Sequence, residues 1–464
     1  MQAEAVLLTE SLPSFAGYIG IGRQDMTPEA GIYCHNWGAA THEVADSVHR
    51  PLYAYAIAFR ENDRTAPIIL ATIDYSWFQV HETVRALREP LLREHGLADH
   101  QLWLSVTHSH SVPHIDAAFE SKPGGNKIPA FREKLQAALA DSVRSALANL
   151  APATLTVGVG QSRLARRRDF LEPDSGRILC GPRPYEIADS TLLVGRISGP
   201  DGKVRGTLVN YACHPVSLGA GNTTVSPDYV GSLRAIVEDN THAPCVFVHG
   251  ASGDQTPRDS YSSDPQVADR NGASVAHSVL AVLHGMLPPG ERLEFARTQQ
   301  SGAALAIFEN RPYTVDTAIA SARVELELPA RDWPSVAEIE ARIVAAADAP
   351  ERVRMERLKA YVHNLSALNN GFPVWAIRLG EIFLIGTPAE AFTDLQIALR
   401  ARFPDAAVVV ANDVNGSFNY LPPAAYYGNG AYEQESADFG PGSLEKVIQG
   451  AGALMVQLGA RGSR

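Results

Sequence analysis

At 464 residues, 45% hydrophobic and 20% charged, the chain has the composition of a globular enzyme and length for two to four ordinary units. Acidic residues outnumber basic ones by 51 to 40, a formal net charge of -11, which argues against nucleic acid or an anionic membrane as the main partner. Residues 1–15 lack a cationic start followed by an apolar run, and no run of about 18 apolar residues occurs, so the sequence predicts a cytoplasmic protein with no membrane span.

In chain order, short apolar or β-branched runs recur, each ending in polar residues. Residues 67–73 run into Asp74, and 101–107 into His108 and His110. Residues 206–213 run into His214, and 244–248 into His249 and the loop Gly250-Ala251-Ser252-Gly253-Asp254. Residues 381–385 lead to Gly386-Thr387-Pro388-Ala389-Glu390, and 406–410 to Asn412 and Asp413. Such runs, bounded by Gly or Pro, predict buried strands. Apolar residues at helical spacing predict helices over 129–150, 264–287, 389–403 and 443–458. Residues 163–185, with arginines among scattered Gly and Pro, predict a long loop. Residues 328–365, rich in Ala, Glu and Arg and divided by Pro350, predict an exposed helical hairpin outside the main sheet. Alternating strands and helices predict an α/β fold with mixed, buried sheets flanked by helices. Ligands bind such sheets beyond the carboxyl ends of strands, and all six polar clusters fall at that end.

The cysteines, Cys34, Cys180, Cys213 and Cys245, are scattered and lack CxxC pairing, so free thiols are expected, with Cys213 and Cys245 buried in apolar runs. A homo-oligomer is compatible with everything above.

Val106-Thr107-His108-Ser109-His110-Ser111-Val112-Pro113-His114 holds three histidines in seven residues. If the strand continues through it, His108 and His110 point the same way and can approach one ion or one substrate. Surface loop histidines would give the same pattern, and His114, behind Pro113, has left the strand direction. His214, before Pro215, reads by itself as a capping histidine packed beside that proline. Glu390 reads as an acidic residue favoured in a first helical turn. Tyr420 reads as a packed loop aromatic. What joins these four positions is that they stand at one end of the inferred sheet.

A longer series includes them. It comprises Gly22-Arg23-Gln24-Asp25-Met26-Thr27-Pro28, Val48-His49-Arg50-Pro51-Leu52, Thr107-His108-Ser109-His110-Ser111 and His214-Pro215. It continues with Gly253-Asp254-Gln255-Thr256-Pro257, Pro388-Ala389-Glu390-Ala391-Phe392-Thr393, and Tyr420 with Tyr432-Glu433 behind it. In this order, over roughly residues 20–436, the chain resembles the neutral ceramidase family, the neutral/alkaline non-lysosomal ceramidase-like hydrolases. The resemblance implies a neutral ceramidase catalytic-domain fold, one domain over 15–460 with 328–365 inserted, and zinc held by His108, His214, Glu390 and Tyr420. It implies that His110 faces the reacting carbonyl or the metal-activated water. An arginine within 166–168, taken as Arg167, would contact the substrate, and Thr256 stands where the family commonly has serine. The bond cut would be the amide of a small or lipid-like N-acyl substrate, with His110 passing a proton to the leaving amine. About 30 residues follow Glu433, too few for the family's C-terminal immunoglobulin-like domain.

Around this set, Asp74 and Asp254 are candidates for fixing a histidine tautomer, or for capping turns. Trp37, Trp77, Phe78 and Trp375 could line an apolar pocket or belong to the core. Two other functional classes stay open. The Ser252 loop is Gly-rich and follows a strand, as in a serine or threonine esterase, but lacks GxSxG spacing. A catalytically silent zinc-containing binding protein would carry the same ligands.

Overall fold

Ala54, Ala56 and Ala58 face one way in the strand Tyr53–Arg60, Tyr55, Ile57 and Phe59 face the other, and all six are buried. A strand buried on both faces reads as a continuous apolar run, which is how 67–73, 101–107 and 244–248 look in the sequence. The computed structural model, which describes residues 9–462 except 79, 187, 368–370 and 417, shows what covers each face.

Eight strands form the larger sheet, in the order Cys245–His249, Val204–Tyr211, Thr191–Ser198, Ala151–Gln161, Ser14–Asp25, Tyr53–Arg60, Ile68–Ile73 and Leu102–Val106. The outermost pair at each edge is parallel and the interior pairs are antiparallel. A second sheet runs Ile319–Glu327, Gly371–Leu379, Ile382–Gly386 and Ala407–Ala411, the last two parallel. The sheets pack face to face: Tyr55, Ile57, Leu70, Trp103 and Val248 meet Trp375, Ile377, Leu384 and Val409. On the outer face of the larger sheet lie α1 (His81–His95) and α2 (Ile128–Ala148), then α3 (Tyr229–Thr241) and α4 (Pro265–Gly285). Helix α2 comes so close that a Cβ on Gly22 would lie 2.0 Å from the Ser142 carbonyl oxygen. Helices α5 (Val336–Ala345) and α6 (Ala349–Ala367) pack on each other, with Pro350 in the first turn of α6, where its missing N–H is harmless. Helices α7 (Asp394–Arg402) and α9 (Ser443–Gln457) cover the smaller sheet, and the short α8 (Tyr432–Glu435) lies between them in sequence. The result is an α/β fold of two mixed, buried sheets flanked by helices. Among the described residues no helix is long and apolar enough to cross a membrane.

The six predicted strands are strands, and they pair as three parallel twos. Backbone hydrogen bonds tie their carboxyl ends together. Asn412 N–H donates to the His249 carbonyl at 3.0 Å, and Asn415 N–H to the Leu104 carbonyl at 2.8 Å. The polar clusters therefore converge on one place.

Two local expectations fail. Residues 163–185 are not a plain loop: Ala165–Arg167 pairs with Gln255–Pro257, and Asp169–Leu171 with Ile178–Cys180. The helix expected from 389 begins only at Asp394. Glu390–Ala391 instead forms a two-residue strand parallel to Tyr420–Leu421, with Glu390 directly opposite Tyr420. Long-range pairing outweighs the local preference for an acidic residue in a first helical turn.

Candidate metal centre

His108 lies two residues past the end of its strand, in a left-handed backbone with φ 68°. The period-two argument for His108 and His110 therefore does not apply; a turn, not a strand, presents them. A left-handed histidine costs about 1–2 kcal/mol, so the surroundings must hold it. Its N–H donates to the Tyr75 carbonyl at 2.9 Å, and its Nδ1 meets Asp413 Oδ2 at 2.9 Å. That leaves Nε2 with no hydrogen-bond partner among the described residues, 3.6 Å from Glu390 Oε2. Burial works to lower the pKa of this ring, but the Glu390 and Asp413 carboxylates outweigh it and hold the pKa above its ordinary value.

His214 follows Val204–Tyr211 and repeats the arrangement with carbonyls. Its Nδ1 lies 2.8 Å from the Ser252 oxygen and 3.0 Å from the Gln255 oxygen, so the proton belongs on Nδ1. Nε2 then presents its lone pair to Glu390 Oε2, 2.8 Å away, and accepts from Arg168 Nη1 at 2.9 Å. Burial drives the pKa of this ring far below the usual range, so it is neutral. A neutral acceptor facing a carboxylate oxygen at this distance is repulsive unless a cation lies between them. The donor atoms of His108, His214 and Glu390 all lie within 4.8 Å of one another. Orphaned lone pairs, fixed tautomers and a carboxylate together fit a metal ion.

A second cluster shares His108 with His249 and Asp413. His249 stacks on His108, with ring centroids 5.2 Å apart and planes at 5°, and bonds Ser252 Oγ through Nε2 at 2.8 Å. Since Asp413 engages the Nδ1 side of His108, this cluster orients His108 from behind. Asp74 and Asp254, the carboxylates expected in that role, do something else. Asp74 pairs with Arg234 and accepts from Tyr53 N–H and Thr107 Oγ1. Asp254 accepts from Thr393 N–H and Oγ1 at 2.9 and 2.8 Å.

The arginine at the centre is Arg168 rather than Arg167. Arg168 donates to Tyr420 Oη at 3.1 Å and to Cys180 Sγ at 3.0 Å, and its Nε pairs with buried Glu433 at 2.7 Å. Arg167, one residue earlier on a short strand, points to the other side, toward Asp254 and Asp169. Tyr420 is buried, its ring stacked on His214 at 6.2 Å.

His110 lies between Trp37 and Trp77, with ring centroids 5.1 and 5.0 Å away, and among the described residues neither of its nitrogens has a hydrogen-bond partner. It lines a cavity of about 350 Å³ together with His214, Arg168, Tyr420, Trp37 and Arg357. Burial keeps its pKa far down, so the ring is neutral. Thr256 is buried on Gln255–Pro257 opposite Arg166 and does not line this cavity. Phe78 and Trp375 belong to the packed cores, and His114 bonds the His35 carbonyl away from the centre. All four cysteines are free thiols, with Cys213 and Cys245 buried.

Sequence reasoning missed Asp413 and His249 as supports, although both stood at predicted strand ends. It missed Arg357 altogether. That residue lies on α6, which therefore reaches the site and is not only a surface hairpin.

No family model and no curated protein matches the chain. Solved structures share its fold. A ceramidase complexed with C2 aligns at a TM-score of 0.69 and 16% identity, over 98% of this chain and 77% of that one. Neutral ceramidase from Pseudomonas aeruginosa aligns at 0.67 and 18%, over 98% of this chain and 76% of its own. The chain has a neutral ceramidase-like fold, as the ordered motifs implied.

Proposed function

We propose that the protein is a zinc-dependent hydrolase of N-acyl amides, with His108, His214, Glu390 and Tyr420 as the metal ligands. The observation that carries this reading is the meeting of His108 Nε2, His214 Nε2 and Glu390 Oε2 with both Nδ1 atoms already engaged. Two imidazoles, a carboxylate and a phenol suit zinc, which takes nitrogen and oxygen ligands in fourfold coordination. The amide follows from the ceramidases whose fold this chain shares, since ceramide is an N-acyl amide.

Zinc bound there would supply Lewis acidity, polarising a carbonyl oxygen and acidifying water. Arg168, fixed by Glu433, brings a permanent positive charge to the cavity, where the oxyanion of a tetrahedral intermediate would gain from it. His110, neutral and without a competing hydrogen bond, can take a proton from water and pass one to the leaving amine nitrogen. Trp37 and Trp77 shield that ring from bulk water. Net addition of water across the C–N bond gives a carboxylic acid and an amine.

Purified protein should carry stoichiometric zinc, and His108→Ala and Glu390→Ala should each lose both the metal and hydrolysis of an N-acyl amide panel. A His108→Ala variant that keeps metal and activity would sink the proposal. One observation favours a second reading. Ser252 Oγ bonds His249 Nε2 at 2.8 Å, as a nucleophile and base would. Ser252 is fully buried and does not line the cavity, so it cannot reach a substrate there. Chelators should therefore abolish activity while serine-directed reagents leave it intact.

A further inference from the structure

Among the described residues, Arg357 is a cation without an anion. Its guanidinium stacks over Trp77 at 5.1 Å, and Nη2 donates to the Asn36 carbonyl at 2.6 Å. Among the described residues no carboxylate pairs with it. The neighbouring arginines differ. Arg168 is paired with Glu433, Arg167 lies near Asp254 and Asp169, and Arg354, one turn earlier on α6, pairs with Glu435. Arg357 is half-buried, and it borders three cavities: the one over His110 and His214, one of about 520 Å³ beside Tyr432, and one of about 860 Å³ between α6 and α1. The N–H groups of Arg357 other than the one bonded to Asn36 border these cavities, where a ligand can supply acceptors.

We propose that Arg357 receives a carboxylate on the amine half of the substrate, which makes the substrates N-acyl amino acids rather than neutral N-acyl amines. The proposal rests on the amide-hydrolase reading above and deepens it. The planar fork of a guanidinium matches a carboxylate through two parallel hydrogen bonds. The Trp77 stack and the Asn36 bond already fix its orientation, so little side-chain entropy is lost on binding. Arg168, the other arginine lining this cavity, is already paired with Glu433, so an acid group belongs at Arg357. In an N-acyl amino acid the carboxylate is one carbon from the amide nitrogen. That reach suits a group sharing one small cavity with His110 and His214. Hydrolysis would form a C–O bond at the acyl carbon, break the C–N bond, put a proton on the nitrogen, and release a fatty or other carboxylic acid and a free amino acid.

The test compares N-lauroyl-glycine with N-lauroyl-glycinamide, which differ only in carboxylate against carboxamide, on full-length zinc-loaded protein. Wild type should favour the acid by about tenfold or more in kcat/KM, as a charge-assisted pair implies. Arg357→Met should bring that ratio close to one, and Arg357→Lys should restore part of it. Arg357→Gln serves if the methionine variant fails to fold, as judged by circular dichroism. Absence of a preference in wild type, or a preference that survives in Arg357→Met, overturns the proposal. Turnover of the glycinamide alone keeps the amide-hydrolase reading while removing this one. If neither compound is cut, that reading fails, and calorimetric binding of N-lauroyl-glycine to wild type and Arg357→Met still decides. Equal affinities overturn the role of Arg357, and a tenfold loss in the variant supports it.

Discussion

Asp413 does for His108 what two backbone carbonyls do for His214: it fixes the proton on Nδ1 and turns Nε2 inward. Removing such a support costs metal affinity without touching a ligand. Asp413→Ala should weaken zinc binding by about 10–100-fold in competition with a chelator, whereas Arg167→Met should leave it unchanged. The identities of the candidate ligands are legible in the sequence, because ordered motifs single out His108, His214, Glu390 and Tyr420 among many similar residues. The supports are less so. Of three consecutive arginines, Arg166 and Arg167 lie on a short strand and Arg168 at the bend just after it, and nothing local says that 168 faces inward. Arg357 is silent for a different reason. Its place on a charged, Ala-rich helix marks it as solvent-facing, and the loop it bonds, at Asn36, is more than 300 residues away.

Elements with continuous apolar runs are the legible ones, since a strand buried on both faces has no other composition open to it. The two-residue strands Glu390–Ala391 and Tyr420–Leu421 have no such signature, yet they set two candidate ligands side by side. Their position depends on Gly253, whose Cβ, if present, would lie 2.5 Å from the Glu390 carbonyl oxygen. Gly253→Ala should push that strand away from the loop after Cys245–His249. We expect lower zinc affinity and a lower melting temperature together, by calorimetry with and without added metal. Zinc affinity equal to wild type would show that the close approach is not needed.

Across the whole molecule, burial keeps certain histidines neutral. His81 and His114 are both held at a pKa of about 4, chiefly by burial, against an ordinary 6.5. The unfolded chain binds these protons below pH 6.5, but the native fold refuses them until about pH 4. Stability is therefore full above pH 6.5 and falls as the pH drops toward 4, by up to about 3 kcal/mol per residue. Urea unfolding at pH 7 and 4.5 should show the loss, and His114→Gln should flatten it. The candidate ligands also have an order in time. A ribosome makes His108 and His214 long before Glu390 and Tyr420 exist to complete the set. On the proposed ligand set, a nascent chain completes the centre only once residue 420 has emerged, so zinc content would count finished molecules, and a fragment ending short of Tyr420 is expected to bind the metal more weakly.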